Sequence, residues 1–369
     1  MAAEQWVERV IERAITIQQI PAPTFAESAR AAQLRQLFTQ EGLTDVHIDP
    51  VGNVLARLPG EGQAKPLIVS AHLDTVFPAG TDLTVHRLED KVCGPGIGDN
   101  SLGVAALFAL AWELKTRQSR LPGDIWLVGN VCEEGLGDLR GMSAVVEQFG
   151  GDVTAYLILE GMALGQIYHR GLGVRRYRIS AKTDGGHSWV DYGRPSAIHE
   201  LAKIVVQLNS LALPAQPRTT LNVGVISGGT SVNTIAAQAT LELDTRSEGR
   251  QELNDLAGQV EQLIAQAQRS SAARLTCEVI GERPTGDISL THPLVELAVK
   301  CLQVQGIAAR LNIGSTDANA PLSRGYPAVT IGLTNGAGSH TVGEFIYMQP
   351  LTLGLRQLFC LVENVFRLP

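Results

Sequence analysis

Nothing in the sequence approaches the ~20 consecutive apolar residues that a bilayer-spanning helix requires, so a membrane protein of the helical type is not expected. The stretch from Met1 to Ile20 sets Glu4, Glu8, Arg9, Glu12 and Arg13 among Trp6, Val7, Val10, Ile11, Ala14 and Ile15. Charges interrupt each apolar run, which is amphipathic helix spacing rather than a signal peptide. A cluster of basic residues is also missing. With a net charge of −7, the chain lacks the Lys and Arg footprint that phosphate binding needs, which argues against nucleic acid as a partner.

Cysteine is sparse. The five cysteines, Cys93, Cys132, Cys277, Cys301 and Cys360, are odd in number, scattered and without C-x-x-C spacing. They read as reduced thiols in a cytoplasmic protein, and Cys132 reads as core packing. A chain of this length buries roughly 75% of its unfolded surface and needs no disulfide staples. Two domains are expected from length alone. Internal repeats and low-complexity linkers are absent.

Several catalytic signatures are lacking too. There is no G-x-S-x-G nucleophile elbow and no H-E-x-x-H; His199-Glu200 begins such a pair, but Leu201, Ala202 and Lys203 follow. Gly94, Gly96 and Gly98 resemble a dinucleotide loop only loosely, since they follow Cys93 rather than a clear strand, and the P-loop lysine is missing.

What is present is an alternation of short β-branched runs with longer helical ones. Strands are expected at Pro66 to Ala71, Asp124 to Val131 and Ala155 to Leu159, with helices at Leu102 to Lys115 and Ser143 to Phe149. This is the pattern of an α/β fold, a mostly parallel sheet with helices on both faces. Between Gly173 and Arg283 the order becomes βαββαβ: Val174 to Thr183, Ser196 to Ser210, Thr220 to Ser227, Ala237 to Arg246, Gln251 to Ser270 and Leu275 to Gly281. That is a ferredoxin-like unit. From His292 the first pattern resumes, with a helix at Pro293 to Gln305, a strand at Ala328 to Leu333 and a last helix after Pro350. The domains are therefore 1–172 with 284–369, and an inserted 173–283.

Chemistry-bearing residues follow the strands of the outer domain. PLIVSA leads to His72 and Asp74, IWLVGNVC to Glu133 and Glu134, and AYLILE ends on Glu160. Asp99 lies in GPGIGDNS ahead of a helix, and His340 in the loop after VTIGL. Ligands of open α/β sheets bind beyond the carboxyl ends of the strands, so these residues should converge. Two imidazoles with several carboxylates suit zinc, with manganese or cobalt as replacements, and one carboxylate remains as a base. A single His or Glu at a strand end is most often a cap or a solvated group. Adjacent acids such as Glu133 and Glu134, beside an apolar strand, repel each other unless a cation stands near.

With these motifs the sequence resembles, over nearly its whole length, the dinuclear zinc exopeptidases and deacylases. That family includes peptidase T, acetylornithine deacetylase, succinyl-diaminopimelate desuccinylase and the glutamate-releasing carboxypeptidases. The resemblance implies two Zn2+ per chain, with Co2+ or Mn2+ possible. It implies Asp99, Glu134 and His340 on one metal, and His72, Asp99 and Glu160 on the other, with Asp99 as the bridge. Asp74 would orient the site and Glu133 would be the general base.

In the insert, a lid that also mediates homodimerisation in that family, His187 of TDGGHSW resembles the histidine that reaches a neighbouring subunit's site. Asn233 of SVNTIA and Arg246 of LDTRS resemble substrate-binding residues, as do Gly314, Thr316 and Asp317 of GSTD. For Arg246 the plainer reading is a salt bridge within the lid. Two departures from many relatives are Asn100, where a second aspartate is usual, and Ala236, where proline is common.

The implied reaction is hydrolysis of a peptide or an N-acyl amino acid. The two metals that the resemblance implies would activate water and polarise the carbonyl, and His187 with one metal would stabilise the oxyanion. Glutamate at position 160 leans the family reading toward carboxypeptidases and deacylases, while TDGGHS and GSTDA look peptidase T-like. Two other classes stand beside it: a non-catalytic metal- or peptide-binding protein that keeps the fold, and a nucleotide-dependent enzyme built on the glycine loop.

Overall fold

The computed structural model describes residues 3–368 and divides into two compact units: the chain up to Gly171 with the chain from Gly286 onward, and Leu172–Thr285.

The first unit is organised by a nine-stranded sheet. Its centre runs Ile125–Asn130, Leu67–His72, Ala155–Glu160, Ala328–Gly332, all parallel. Leu67–His72 is buried at every position, which is why its sequence is a continuous apolar run and not an alternating one. Antiparallel strands close the two sides. Thr44–Ile48 and Val54–Leu58 extend the sheet from Ile125–Asn130, and Gln166–Gly171 pairs antiparallel with Ala328–Gly332. Arg310–Gly314 and Gly286–Asp287 then flank Gln166–Gly171.

Helix Leu102–Thr116 is buried from Leu102 through Leu114. Helix Glu4–Gln18 lies over it with Val10, Ile11, Ala14 and Ile17 inward, as its amphipathic spacing requires. Helix Pro293–Gln303 begins with proline in its first turn and with the His292 ring accepting the N–H of Leu294 at 3.1 Å. It packs on the last helix, Leu351–Val365.

That packing corrects the cysteine reading. Cys301 and Cys360, one from each of these helices, form a disulfide with their Cα atoms 5.8 Å apart. The two positions are separated by 59 residues, and only the helix pairing brings them within bridging range. Cys93, Cys132 and Cys277 are free. No helix among the described residues is long and apolar enough to cross a membrane.

The second unit is a four-stranded antiparallel sheet in the order Thr219–Gly228, Gln238–Ser247, Gly173–Lys182, Arg274–Arg283. Helices Ala197–Asn209 and Arg250–Ser270 join its strands. Alternation sets the faces. Tyr177, Ile179 and Ala181, with Leu241 and Leu243, build a core with Leu201, Ile204, Leu256 and Val260 from the helices. The intervening residues form cross-strand ion pairs, Arg178 opposite Glu242 and Arg176 opposite Asp244, at 2.9 Å each.

Candidate active site

At the carboxyl ends of the parallel strands, the first unit gathers the acids and imidazoles singled out above. His72 ends its strand, and its Nε2 lies 3.1 Å from Asp99 Oδ1 and 3.8 Å from Glu160 Oε2. His340 reaches the same aspartate from the other side, with Nε2 3.3 Å from Asp99 Oδ2 and 3.2 Å from Glu134 Oε1. One oxygen of Asp99 therefore faces each imidazole. Ligand-type atoms of His72, Asp99 and Glu134 lie within 4.8 Å of one another.

The electrostatics follow from this crowding. Burial alone would discourage protonation of His72, but its contacts to Asp74 and Asp99, with Glu160 and Glu133 nearby, raise its pKa well above the ordinary value. Contacts to Asp99 and Glu134 lift His340 to about 10. Burial pushes Glu160 well above the usual carboxylate range; His72 opposes this, while the charges of Asp99, Glu133 and Asp317 reinforce it. Asp99 is held below its ordinary value because His340 and His72 outweigh the effect of burial. Such mutual perturbation marks a site in need of cationic charge.

Asp74 is wholly buried. Its Oδ1 accepts the backbone N–H of Glu133 at 2.9 Å, and its Oδ2 accepts that of Glu134 at 2.8 Å and the hydroxyl of Thr24 at 2.9 Å. His72 Nδ1 sits 3.0 Å from the carbonyl oxygen of Asp74, an arrangement that fixes the ring and leaves Nε2 toward Asp99. The buried Arg30 donates to the carbonyls of Leu73, Ile20 and Gln18. Burial lowers its pKa to about 10, against the pull of Asp74. Cys132, just before Glu133, is buried and donates to Glu27 through both its backbone N–H and its Sγ. Burial, with Glu27 and Asp74, pushes its thiol up to about 12, in keeping with a packing role.

Asn100 earns its place over aspartate. Its Nδ2 donates to the carbonyl of Leu159 at 2.8 Å, and its Oδ1 accepts the N–H of Gly161 at 2.9 Å. An aspartate could not make the first bond. The side chain thus clips the Asp99 segment to both neighbours of Glu160.

The GSTD segment is less uniform. Gly314 ends its strand, and a side chain there would collide with the Tyr168 ring at 2.7 Å. Thr316 shares a 3.0 Å hydroxyl contact with Thr330. Asp317, read as a substrate residue, is instead fully buried, its Oδ2 accepting from Asn130 Nδ2 at 2.7 Å. That bond ties the GSTD segment to the end of the strand Ile125–Asn130.

His187, Asn233 and Arg246 lie in the second unit. His187 is exposed, and its Nδ1 accepts the N–H groups of Trp189 and Val190 at 3.2 and 3.3 Å. Those bonds leave the ring proton on Nε2. Asn233 Oδ1 accepts the hydroxyl of Ser231 at 2.9 Å. Arg246 Nε is 2.7 Å from Asp244 Oδ2, the salt bridge weighed as its plainer reading.

One carboxylate had no role in the sequence reading. Glu344, fully buried, accepts the N–H groups of Gly96 at 3.0 Å, Gly98 at 2.6 Å and Asp99 at 2.8 Å. Burial and the Asp99 charge raise it to about 7, although those amides pull it back. Its partners lie some 245 residues away in sequence, and no local pattern announces the pairing.

Two family models and several known proteins match this chain. Residues 53–168 match the peptidase family M28, and residues 171–272 match the peptidase dimerisation domain of the M20 type. A succinyl-diaminopimelate desuccinylase of Corynebacterium glutamicum is 24% identical over 346 residues, covering 90% of each chain. A probable carboxypeptidase of Arthroderma otae is 27% identical over 262 residues, covering 64% of this chain and 55% of that one, so the match spans about half of the fungal protein. The fold is shared with a tripeptidase from Staphylococcus aureus, with a TM-score of 0.83 at 22% identity over 98% of this chain and 99% of that one. These matches are in line with the exopeptidases and deacylases that the motifs resemble.

Proposed function

We propose that this protein is a metal-dependent hydrolase that releases an amino acid from a peptide or an N-acyl amino acid. The observation that carries the reading is the position of Asp99 between two imidazoles, each accompanied by a further carboxylate: Glu160 beside His72 and Glu134 beside His340. The donor set suits zinc, with cobalt or manganese as replacements. Asp99, Glu134 and His340 would hold one ion, and His72, Asp99 and Glu160 a second. When bound, the ions supply Lewis acidity that polarises the scissile carbonyl and lowers the pKa of water.

The chain's own residues do the rest. Glu133, outside both trios, takes the proton of the attacking water on its carboxylate and returns it to the leaving nitrogen. Asp74 keeps that carboxylate in place through the Glu133 N–H. His187, with its proton on Nε2, is the candidate donor to the developing oxyanion. Gly314, Thr316 and Asn233 are candidate substrate contacts, with the guanidinium of Arg246 as a carboxylate clamp and Asp317 acting through its neighbours. Glutamate at position 160 favours a carboxypeptidase or deacylase over an aminopeptidase, as the motif resemblance implies. We assign the second unit to homodimerisation, in line with the dimerisation-domain match.

The nucleotide reading loses its footing in the glycine loop, whose N–H groups at Gly96 and Gly98 are already taken by Glu344. The test is a screen of dipeptides, tripeptides and N-acyl amino acids against chelated protein resupplied with zinc, cobalt or manganese. Turnover that appears only with metal supports the proposal. A metal-loaded protein that hydrolyses none of them contradicts it and leaves a metal- or peptide-binding role.

A further inference from the structure

Glu344 is tied to the Asp99 segment by more than its side chain. Its backbone carbonyl accepts the N–H of Gly94 at 2.9 Å, while its carboxylate accepts those of Gly96, Gly98 and Asp99. Four amides of one six-residue loop therefore converge on a single residue. Glu344 is also fastened to the His340 loop, since its own N–H donates to the carbonyl of Thr341 at 3.2 Å. Just beyond it, Phe345–Tyr347 pairs antiparallel with Lys91–Cys93, the strand that leads into the glycine loop.

The local sequence is shaped for this contact. Gly96 adopts φ 73°, the left-handed region that glycine accepts without cost. At Gly98 an added Cβ would lie 2.8 Å from Ile346 and Met162, so only glycine lets the backbone come this close. The curled amides form an anion-binding nest, and its anion is a side chain of this protein. A buried carboxylate beside Asp99 is repelled by it, so apolar packing alone gives no reason to keep an acid there. Three amides converging on two oxygen positions do, because a buried N–H without a partner is costly.

We propose that Glu344 is a positioning residue for the metal centre: it locks the backbone of Asp99 to the loop that carries His340, so that the two Asp99 oxygens stay aimed at His72 and His340. The inference rests on the metal-site reading above.

Glu344→Gln is the discriminating variant, because it keeps size and removes one acceptor: an amide NH2 must then face the N–H of Gly96 or those of Gly98 and Asp99. Glu344→Asp keeps the charge but shortens the reach, and it serves if the glutamine variant fails to fold. Circular dichroism checks folding, chelator competition measures Co2+ and Zn2+ affinity, and the visible spectrum of bound Co2+ reports ligand geometry without substrate. The expected result is a folded protein whose metal affinity falls about 10–100-fold, with an altered cobalt spectrum. The loss in turnover should appear in kcat rather than KM, and excess metal should restore occupancy without restoring the spectrum. Parental affinity and an unchanged spectrum would overturn the inference even if thermal stability fell, leaving Glu344 a loop staple only. Failure of the parental protein itself to bind Co2+ would overturn the metal-site reading instead, and this inference with it.

Discussion

The Asp74 carboxylate accepts the backbone N–H of Glu133 at 2.9 Å. A residue buried just beyond one parallel strand thereby holds the backbone of the acid that follows the neighbouring strand. Under the proposed mechanism, replacing Glu133 with Gln removes the base and leaves both proposed ligand trios intact. Turnover should fall about 100 to 10,000-fold with metal content unchanged. Steady-state kinetics beside elemental analysis checks this, and a parental rate would exclude Glu133 as the base.

Asp74→Asn tests the orienting role. An amide offers one acceptor oxygen where three donors, Glu133 N–H, Glu134 N–H and the Thr24 hydroxyl, now converge. Metal affinity or turnover should drop about 10–100-fold. Unchanged metal titration and unchanged kcat would show that the carboxylate is only a local support.

The cysteines give a prediction independent of catalysis. Denatured protein prepared without reductant should titrate three thiols, those of Cys93, Cys132 and Cys277. Reduction of the Cys301–Cys360 bridge should lower stability by about 2–4 kcal/mol, read from denaturation curves. In the native state Cys132 should resist alkylation at neutral pH: a thiol pKa of about 12 leaves almost no thiolate below it. Five thiols in the unreduced sample would remove the bridge from the account.

The second unit exposes the free edge of its strand Thr219–Gly228, where Val225 and Ile226 remain 52% and 55% exposed. Such an edge is a ready pairing surface. Sedimentation at micromolar concentration should give a dimer, and lysine at both positions should shift it toward monomer. A fully active parental monomer would refute this assembly.

The parallel core was legible because its strands are mostly apolar runs, and the strand-end rule drew attention to the acids and imidazoles that follow them, while their proposed roles came from the motif resemblance. Other parts left weaker traces. Helix Ser28–Gln40 turns Arg30 inward, so its apolar stripe is broken by a charge whose carbonyl partners, on Gln18, Ile20 and Leu73, all lie outside the helix. Strand Gln166–Gly171 alternates half-buried with buried residues and Arg310–Gly314 is exposed or half-buried throughout, and neither carries a long β-branched run. Glu344 and Asn100 act through backbone groups of other segments. A sequence motif names side chains, and it gives no sign of which amides they will meet.

The most direct test of the two-metal account is elemental analysis of the parental protein and His340→Ala, with turnover measured on the same samples. Removing His340 takes a ligand from the trio with Asp99 and Glu134 and leaves His72, Asp99 and Glu160. The account predicts two metals per parental chain, about one in the variant, and near-complete loss of activity because one of two Lewis acids is gone. Two tightly held metals or normal turnover in the variant would contradict it.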